Sequence, residues 1–412
     1  MTEKQIASIF ADTAFVRTGG SAEERRCANY LAERCREIGI TADYEPFDVE
    51  MAEIRRAQLF ADGQEIVCKG YLCSGSADVE APLLYMPETG PAAMERCKGC
   101  IVLLDSGVRY WVYRDLLKYG AVGFITYDGD VNNPNNDIDQ KELRAYISEG
   151  QKLPGVCVHA RDAVALVRNG VERVRLLLEQ EETIGASGNL IAELPGETDQ
   201  WIAFTAHYDS TSLSEGAYDN MSGCVGLLGI AEHFVSAPHR LGLRFIWCGS
   251  EERGLLGSKA YTAAHTDALQ NTVLNINLDM IGSIMGKFFA CCTTEEDLVR
   301  YLKYFADEMG ILMDAKQDVY SSDSTPFADH GVPALSFARL APQNTAAIHN
   351  SFDTAAVLLP GRVAEDVEII CAFADRIANA RRFPIGREIP QNMKDKLDVY
   401  LNRKKEEDLK KG

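Results

Sequence analysis

Five short segments of this chain carry histidine and carboxylate side chains grouped as metal ligands are, and metal chemistry is the first thing they could do. They are His207-Tyr208-Asp209, Asp219-Asn220, Glu251-Glu252, Asp279-Met280 and the loop His349-Asn350-Ser351-Phe352-Asp353. Each alone has an ordinary structural reading. His207 could be a hydrogen-bonded structural histidine. Asp219 could cap the helix that begins at 221, and Glu251 and Glu252 could be first-turn acids favoured by a helix dipole. Asp279 could accept loop amides. Together they bring two histidines and three acids to successive strand ends, where like charges repel unless a cation holds them. Asp219, Glu252 and Asp279 set three negative charges against the four positive charges of two divalent ions, and one hydroxide completes the balance. A short, rigid Asp suits the bridge such a pair needs. Each ion then has one His, one terminal carboxylate and a share of the bridge. That donor set suits two Zn²⁺ ions with an open position for water, and other divalent transition metals could use it. Such a centre acidifies its water, polarises a carbonyl and clamps a tetrahedral intermediate.

The elements that must present these residues follow from periodicity. From about residue 188 the pattern is β-α-β-α. NLIAEL, WIAFTAHYD, LGLRFIWCG, VLNINLDMIG and PALSFA read as strands, with helices at 221–236, 253–265, 295–309 and 361–381. Near-continuous apolar strands between helices predict an α/β fold with a mostly parallel central sheet covered on both faces. In such sheets functional groups gather at the carboxyl ends of the strands, where the five segments fall. Upstream, 21–39 reads as an amphipathic helix with Ala28, Leu31, Cys35 and Ile38 on one face. Ser21 and Glu24 form its expected capping box and Gly39 stops it. The stretch ITADYEPFDVE is extended. Residues 52–183 alternate short strands with turn clusters around the helix-like YWVYRDLLKYG. The segment 388–412 reads as a charged amphipathic helix, a solvated tail.

A chain of 412 residues exceeds the ~250–300 at which one core stops growing. The expected division is a discontinuous catalytic domain, 1–51 with 184–412, and an inserted β-rich domain, 52–183. With 46% hydrophobic and 25% charged residues the composition is that of a globular protein. The net charge of −19 opposes binding to nucleic acid or anionic membrane, and no run of 18 or more apolar residues reads as a membrane span. The first residues read as neither a secretory signal nor a transit peptide. Twelve cysteines then suggest reduced thiols in a cytoplasm, with the lone pair Cys97 and Cys100 and the adjacent Cys291-Cys292 as core residues rather than a zinc or redox site. The sequon at Asn220-Met221-Ser222 carries no weight in that setting. GxSxG, HExxH and P-loop motifs are missing.

The segments HYD, DN-MSG, EERGLLGS, LDMIG, SDSTPF and HNSFD resemble, in order, the successive motifs of the M28 family of co-catalytic zinc aminopeptidases, over about residues 188–355. The resemblance implies a metal-dependent aminopeptidase acting on peptides with a free N-terminus. It implies that His207, Asp219 and Asp279 surround one zinc ion, and Asp219, Glu252 and His349 a second, with Asp219 bridging. Glu251 matches the general base, and Asp209 the carboxylate that orients His207. A cis peptide after Asp219 is also implied. Ser322 and Asp323 fall in the motif lining the substrate side, in which Ser324 stands where the family usually has His, and Tyr320 just before it would help stabilise an oxyanion. Through CKGCIVLLDSG, LLKYGAVGFITYDGD and LPGVCVHARDAVALV the insert resembles a protease-associated domain, which would shape access to the site or carry a homo-oligomer contact. Three other readings share this scaffold: a glutaminyl cyclase-like single-zinc transferase, a C-terminal exopeptidase, and a binding module that has lost its metals. The last conflicts with the filling of all five ligand positions.

Overall fold

Strands that are apolar along their whole length must be covered on both faces, and the computed structural model of the chain has such a sheet at the centre of one of its two units. Residues 1–105 and 107–409 are described; Ser106, within CKGCIVLLDSG, and 410–412, the end of the expected C-terminal helix, lie outside the described residues. One unit comprises Met1–Phe47 and Ala186–Gly412, the other Asp48–Gly185. Both boundaries fall inside long strands, Ala42–Ala61 and Arg173–Leu194.

In the first unit the strand order is Met313–Gln317, Lys287–Thr293, Ala334–Leu340, Thr272–Leu278, Trp201–His207, Gly242–Cys248 and the end of Arg173–Leu194. The four strands from Ala334–Leu340 to Gly242–Cys248 run parallel. Antiparallel pairs flank them on either side. Every residue of Gly242–Cys248 and of Thr272–Leu278 is buried. Alternation divides their side chains between the two faces. Ile202, Phe204 and Phe245 pack with Leu227, Leu228 and Phe373 from the helices Ser222–Ser236 and Pro360–Ala378. Ala203 and Ile246 point the other way, into a cluster with Tyr261 and Phe327. A buried ion pair joins strand to helix: Arg339 Nε donates to both oxygens of Asp366 at 2.9 and 3.0 Å, and Asp366 also accepts the Gly282 N–H.

The second unit carries its own mostly parallel run, Ala77–Met86, Ile101–Leu104, Gly123–Asp128 and Gly155–His159. Antiparallel partners, Arg173–Leu194 and Cys68–Gly70, close its two sides. Separate hydrophobic clusters cover the two faces.

Several elements differ from the sequence reading. Ala42–Ala61 is one 20-residue strand rather than a short one. The first turn signal is Asp62-Gly63, both at positive φ, which folds the strand back onto Gln64–Ile66 in a two-residue hairpin. The helix Glu3–Asp12 and the edge strand Met313–Gln317 had not been expected. The helix expected at 253–265 starts at Leu256, because Gly254 and Leu255 have positive φ and complete a turn. The C-terminal segment is not a solvated tail. It breaks into Gln391–Tyr400 and Glu406–Leu409, and Met393 and Leu397, one turn apart, pack against Ala328, Ala334 and Ile389. All twelve cysteines are free thiols.

Candidate metal centre

Four of the five ligand-bearing segments follow strands of the first unit. His207 ends Trp201–His207, with Asp209 two residues on. Asp279 follows Thr272–Leu278, the Glu251-Glu252 turn follows Gly242–Cys248, and His349 lies in the loop after Ala334–Leu340. Asp219 sits in the irregular turn Ala217–Met221 that feeds the helix Ser222–Ser236. It is not that helix's cap. Asn220 Oδ1 accepts the Gly223 N–H at 3.0 Å instead, and the side chain of Asp219 faces the histidines.

The geometry resolves into two triads that share Asp219. His207, Asp219 and Asp279 form one, and Asp219, Glu252 and His349 the other, each with its ligand atoms within 4.8 Å of one another. Asp219 divides its oxygens: Oδ1 is 3.1 Å from His207 Nε2 and Oδ2 is 3.1 Å from His349 Nε2. Glu252 Oε2 lies 3.2 Å from His349 Nε2, and Asp279 Oδ1 lies 3.8 Å from His207 Nε2. These donors fit a pair of divalent ions. Imidazole with carboxylate is a zinc-type set, and Asp279 Oδ1 is buried without a hydrogen-bond partner, a state that costs free energy unless something binds it. Cys97 and Cys100 belong to neither of the metal-type groups found among the described residues.

The electrostatics are those of an acidic cage around two histidines. Burial disfavours a charged His207, yet the charge of Glu251 and contacts with Asp209 and Asp219 raise it well above the ordinary imidazole value. The half-exposed His349 is also opposed by desolvation, but Asp219 and Glu252 raise it to about 11. Burial works against ionised Asp219 too, and hydrogen bonds from the two histidines overcome it, holding the carboxyl below its usual range. At Asp279 burial, then the charge of Asp219, outweighs His207 and the Ser322 hydroxyl and pushes the carboxyl up to about 7. Glu251 is raised well above its usual value by burial, with Glu252 adding repulsion.

The backbone around the cage is fixed by buried acceptors. Asp209 Oδ1 accepts the Glu251 N–H at 2.9 Å and Oδ2 the Glu252 N–H at 3.1 Å. Its contact with His207 Nδ1, at 3.4 Å, is longer than either. Asp353 accepts the Tyr218 and Asp219 N–H groups at 2.8 and 3.2 Å. Asn220 donates to Leu278 O and accepts from Met280 N–H, and the Asp219–Asn220 peptide is cis. Gly223 is required where it is, since a Cβ there would lie 2.4 Å from Leu278 O. Ser322 and Asp323 are fully buried. Ser322 Oγ accepts from Asn277 Nδ2, and Asp323 lies against Ser258 and Cys248. Ser324 shares a hydrogen bond of 2.8 Å with Ser336, away from solvent. Tyr320 packs on Phe289 at 6.0 Å, and burial with the charges of Asp279 and Asp219 keeps its hydroxyl protonated. The sequence had given no role to Asn220 or Asp353. Their work is to hold main-chain groups of loops, and a sequence does not show which amide a loop will present.

The two ligand triads lie among the loops that follow the parallel strands of this sheet. Residues 189–374 match the model of peptidase family M28. The chain is 27% identical over 340 residues to aminopeptidase YwaD of Bacillus subtilis, covering 78% of this chain and 71% of that one. Its fold is similar to an aminopeptidase from Aneurinibacillus sp. strain AM-1, at a TM-score of 0.78 and 22% identity over 93% of this chain and 96% of that one. It is also similar to a zinc aminopeptidase from Bacillus subtilis, at 0.77 and 23% over 94% and 99%.

Proposed function

We propose that the chain is a metal-dependent aminopeptidase that removes N-terminal residues from peptides with a free amino group, using two zinc ions bridged by Asp219. The observation that carries this reading is the division of Asp219, whose two oxygens each lie 3.1 Å from a different histidine. The family match over 189–374 and the aminopeptidase relative support it. Zinc held by His207, Asp219 and Asp279 and by Asp219, Glu252 and His349 would polarise the scissile carbonyl and acidify the attacking water. Glu251 belongs to neither triad, and its Oε2 lies 4.0 Å from His207 Nε2. A carboxylate beside the ligands but outside them takes the proton from water and returns it to the leaving amine. The protonated Tyr320 hydroxyl, in the field of Asp279 and Asp219, donates to the developing oxyanion. Asp209 acts through its neighbours, holding the Glu251-Glu252 backbone.

The unit Asp48–Gly185 is read as a protease-associated domain without chemistry of its own. Support comes from its parallel strands and from the two metal-type groups found among the described residues, which both lie in the other unit. A cytoplasmic setting is part of the same reading, supported by twelve free thiols. Unblocked dipeptides, N-acetylated dipeptides and C-amidated dipeptides, offered to metal-depleted protein before and after zinc addition, test the activity. Zinc-dependent cleavage of the first and third is expected. Cleavage of the N-acetylated substrate at an equal rate, or cyclisation of N-terminal glutamine without hydrolysis, contradicts the reading.

A further inference from the structure

Glu24 was expected to close a capping box at the start of a surface helix, and it does something else. The Ser21 side chain accepts the Glu24 N–H as a cap does, but the Glu24 carboxylate turns inward and is 1% exposed. Its Oε2 accepts the Gly20 N–H at 2.6 Å. Its Oε1 accepts the Ser250 N–H at 2.8 Å, the Ser187 hydroxyl at 2.9 Å and the Ser250 hydroxyl at 3.2 Å. Ser250 is the residue before the Glu251-Glu252 pair. The two N–H groups that follow donate to Asp209. Three successive amides of this turn therefore each end on a buried carboxylate.

The turn needs such support. Ser250 has φ of 54°, a conformation that residues with a Cβ avoid unless surroundings impose it. The chain is also packed directly on Glu24: a Cβ on Gly249 would lie 3.0 Å from Glu24 Oε1, and one on Gly19 would lie 2.4 Å from Ser250 Oγ. Arg253, just after the pair, donates to Gly19 O at 3.2 Å. The same segment begins with the fully buried Arg17, whose guanidinium donates to Tyr208 O at 2.5 Å and Gly216 O at 2.7 Å, in the loops of His207 and Asp219.

We propose that Glu24 is a positioning residue for the reaction: with Asp209 it fixes the backbone of Ser250, Glu251 and Glu252, so that one side chain of the pair serves as ligand and its neighbour as base. The assignment of those two roles rests on the aminopeptidase reading above; the clamp on the turn does not. Burial, then the charge of Asp209, raises the Glu24 carboxyl to about 8, and the Gly20, Ser187 and Ser250 donors oppose that rise, so its two oxygens hold the turn as buried hydrogen-bond acceptors. Glu24→Gln keeps the size but leaves either the Gly20 or the Ser250 N–H facing an NH₂ group. Glu24→Ala removes the acceptor altogether.

The test is amide hydrogen exchange of the metal-free protein, followed by zinc affinity and steady-state kinetics at saturating zinc. Both variants should lose protection at 250–252 while the strands Trp201–His207 and Thr272–Leu278 keep theirs. Zinc affinity should weaken and kcat should fall by about 10–100-fold, the range for partners behind a metal ligand, with KM within about twofold. Glu24→Gln should lie between wild type and Glu24→Ala. If Glu24→Ala does not fold, the glutamine variant decides alone. Wild-type protection and kcat in Glu24→Gln, with only a lower Tm, would reduce Glu24 to a structural residue and overturn the proposal. Lost protection in a chain whose wild type shows no zinc-dependent peptidase activity would instead overturn the aminopeptidase reading and leave the clamp standing.

Discussion

Glu251 and Glu252 are adjacent and chemically identical, and their surroundings separate them. Glu252 Oε2 is 3.2 Å from His349 and belongs to a triad; Glu251 belongs to none. Glu251→Gln removes a proton carrier without removing a ligand, so kcat should fall by roughly 10²–10⁴ with zinc content unchanged. Glu252→Gln should lower zinc content at the same free zinc. Metal analysis and turnover on both variants check this, and the reverse pattern would exchange the two roles. The residues of the two triads were legible in the sequence as a cluster because histidine and carboxylate side chains are conspicuous at the ends of apolar strands. Asp353, Asn220 and Glu24 were not legible in the same way. Each serves by hydrogen bonding to backbone of another loop, and for Glu24 the local pattern pointed to a helix cap.

Among the elements, the central strands and their covering helices were legible because burial on both faces leaves a continuous apolar run. The long strand Ala42–Ala61 was less so, since its residues are mostly half-buried or exposed and give no apolar signature. The C-terminal helix was misread for a related reason: only Met393 and Leu397 of Gln391–Tyr400 are buried, and charged neighbours mask that stripe. The strand-to-helix tie between Arg339 and Asp366 depends on tertiary structure altogether. Burial raises the Asp366 carboxyl, and the Arg339 guanidinium beside it opposes that shift. Asp366→Ala should leave a buried guanidinium uncompensated and destabilise the protein by about 3–5 kcal/mol, read as a lower urea midpoint at constant m. A loss below about 1 kcal/mol, the scale of an exposed pair, would show that water reaches Arg339.

For the whole molecule, both metal-type groups found among the described residues lie in the unit of Met1–Phe47 and Ala186–Gly412. His159 is the one histidine of Asp48–Gly185, and it caps the helix Ala160–Arg168 by accepting the Arg161 N–H at 3.1 Å. His159→Ala should therefore leave zinc per chain unchanged; loss of an equivalent would place a ligand in the second unit. The unit Asp48–Gly185 overlaps the stretch 52–183 in which the sequence changes texture. Its edges were not marked by composition, because the chain passes between units within continuous strands.

The claim that most depends on geometry is that Asp219 serves two ions at once, and a zinc titration of metal-depleted protein tests it directly. Bound zinc and hydrolysis of an unblocked dipeptide are followed together, for the wild type and for Asp219→Ala. The account predicts two equivalents bound per chain in the wild type, full turnover only as the second site fills, and weakened binding of both in Asp219→Ala. Saturation at one equivalent with full turnover, or an Asp219→Ala chain that still binds two ions with wild-type affinity, would contradict it.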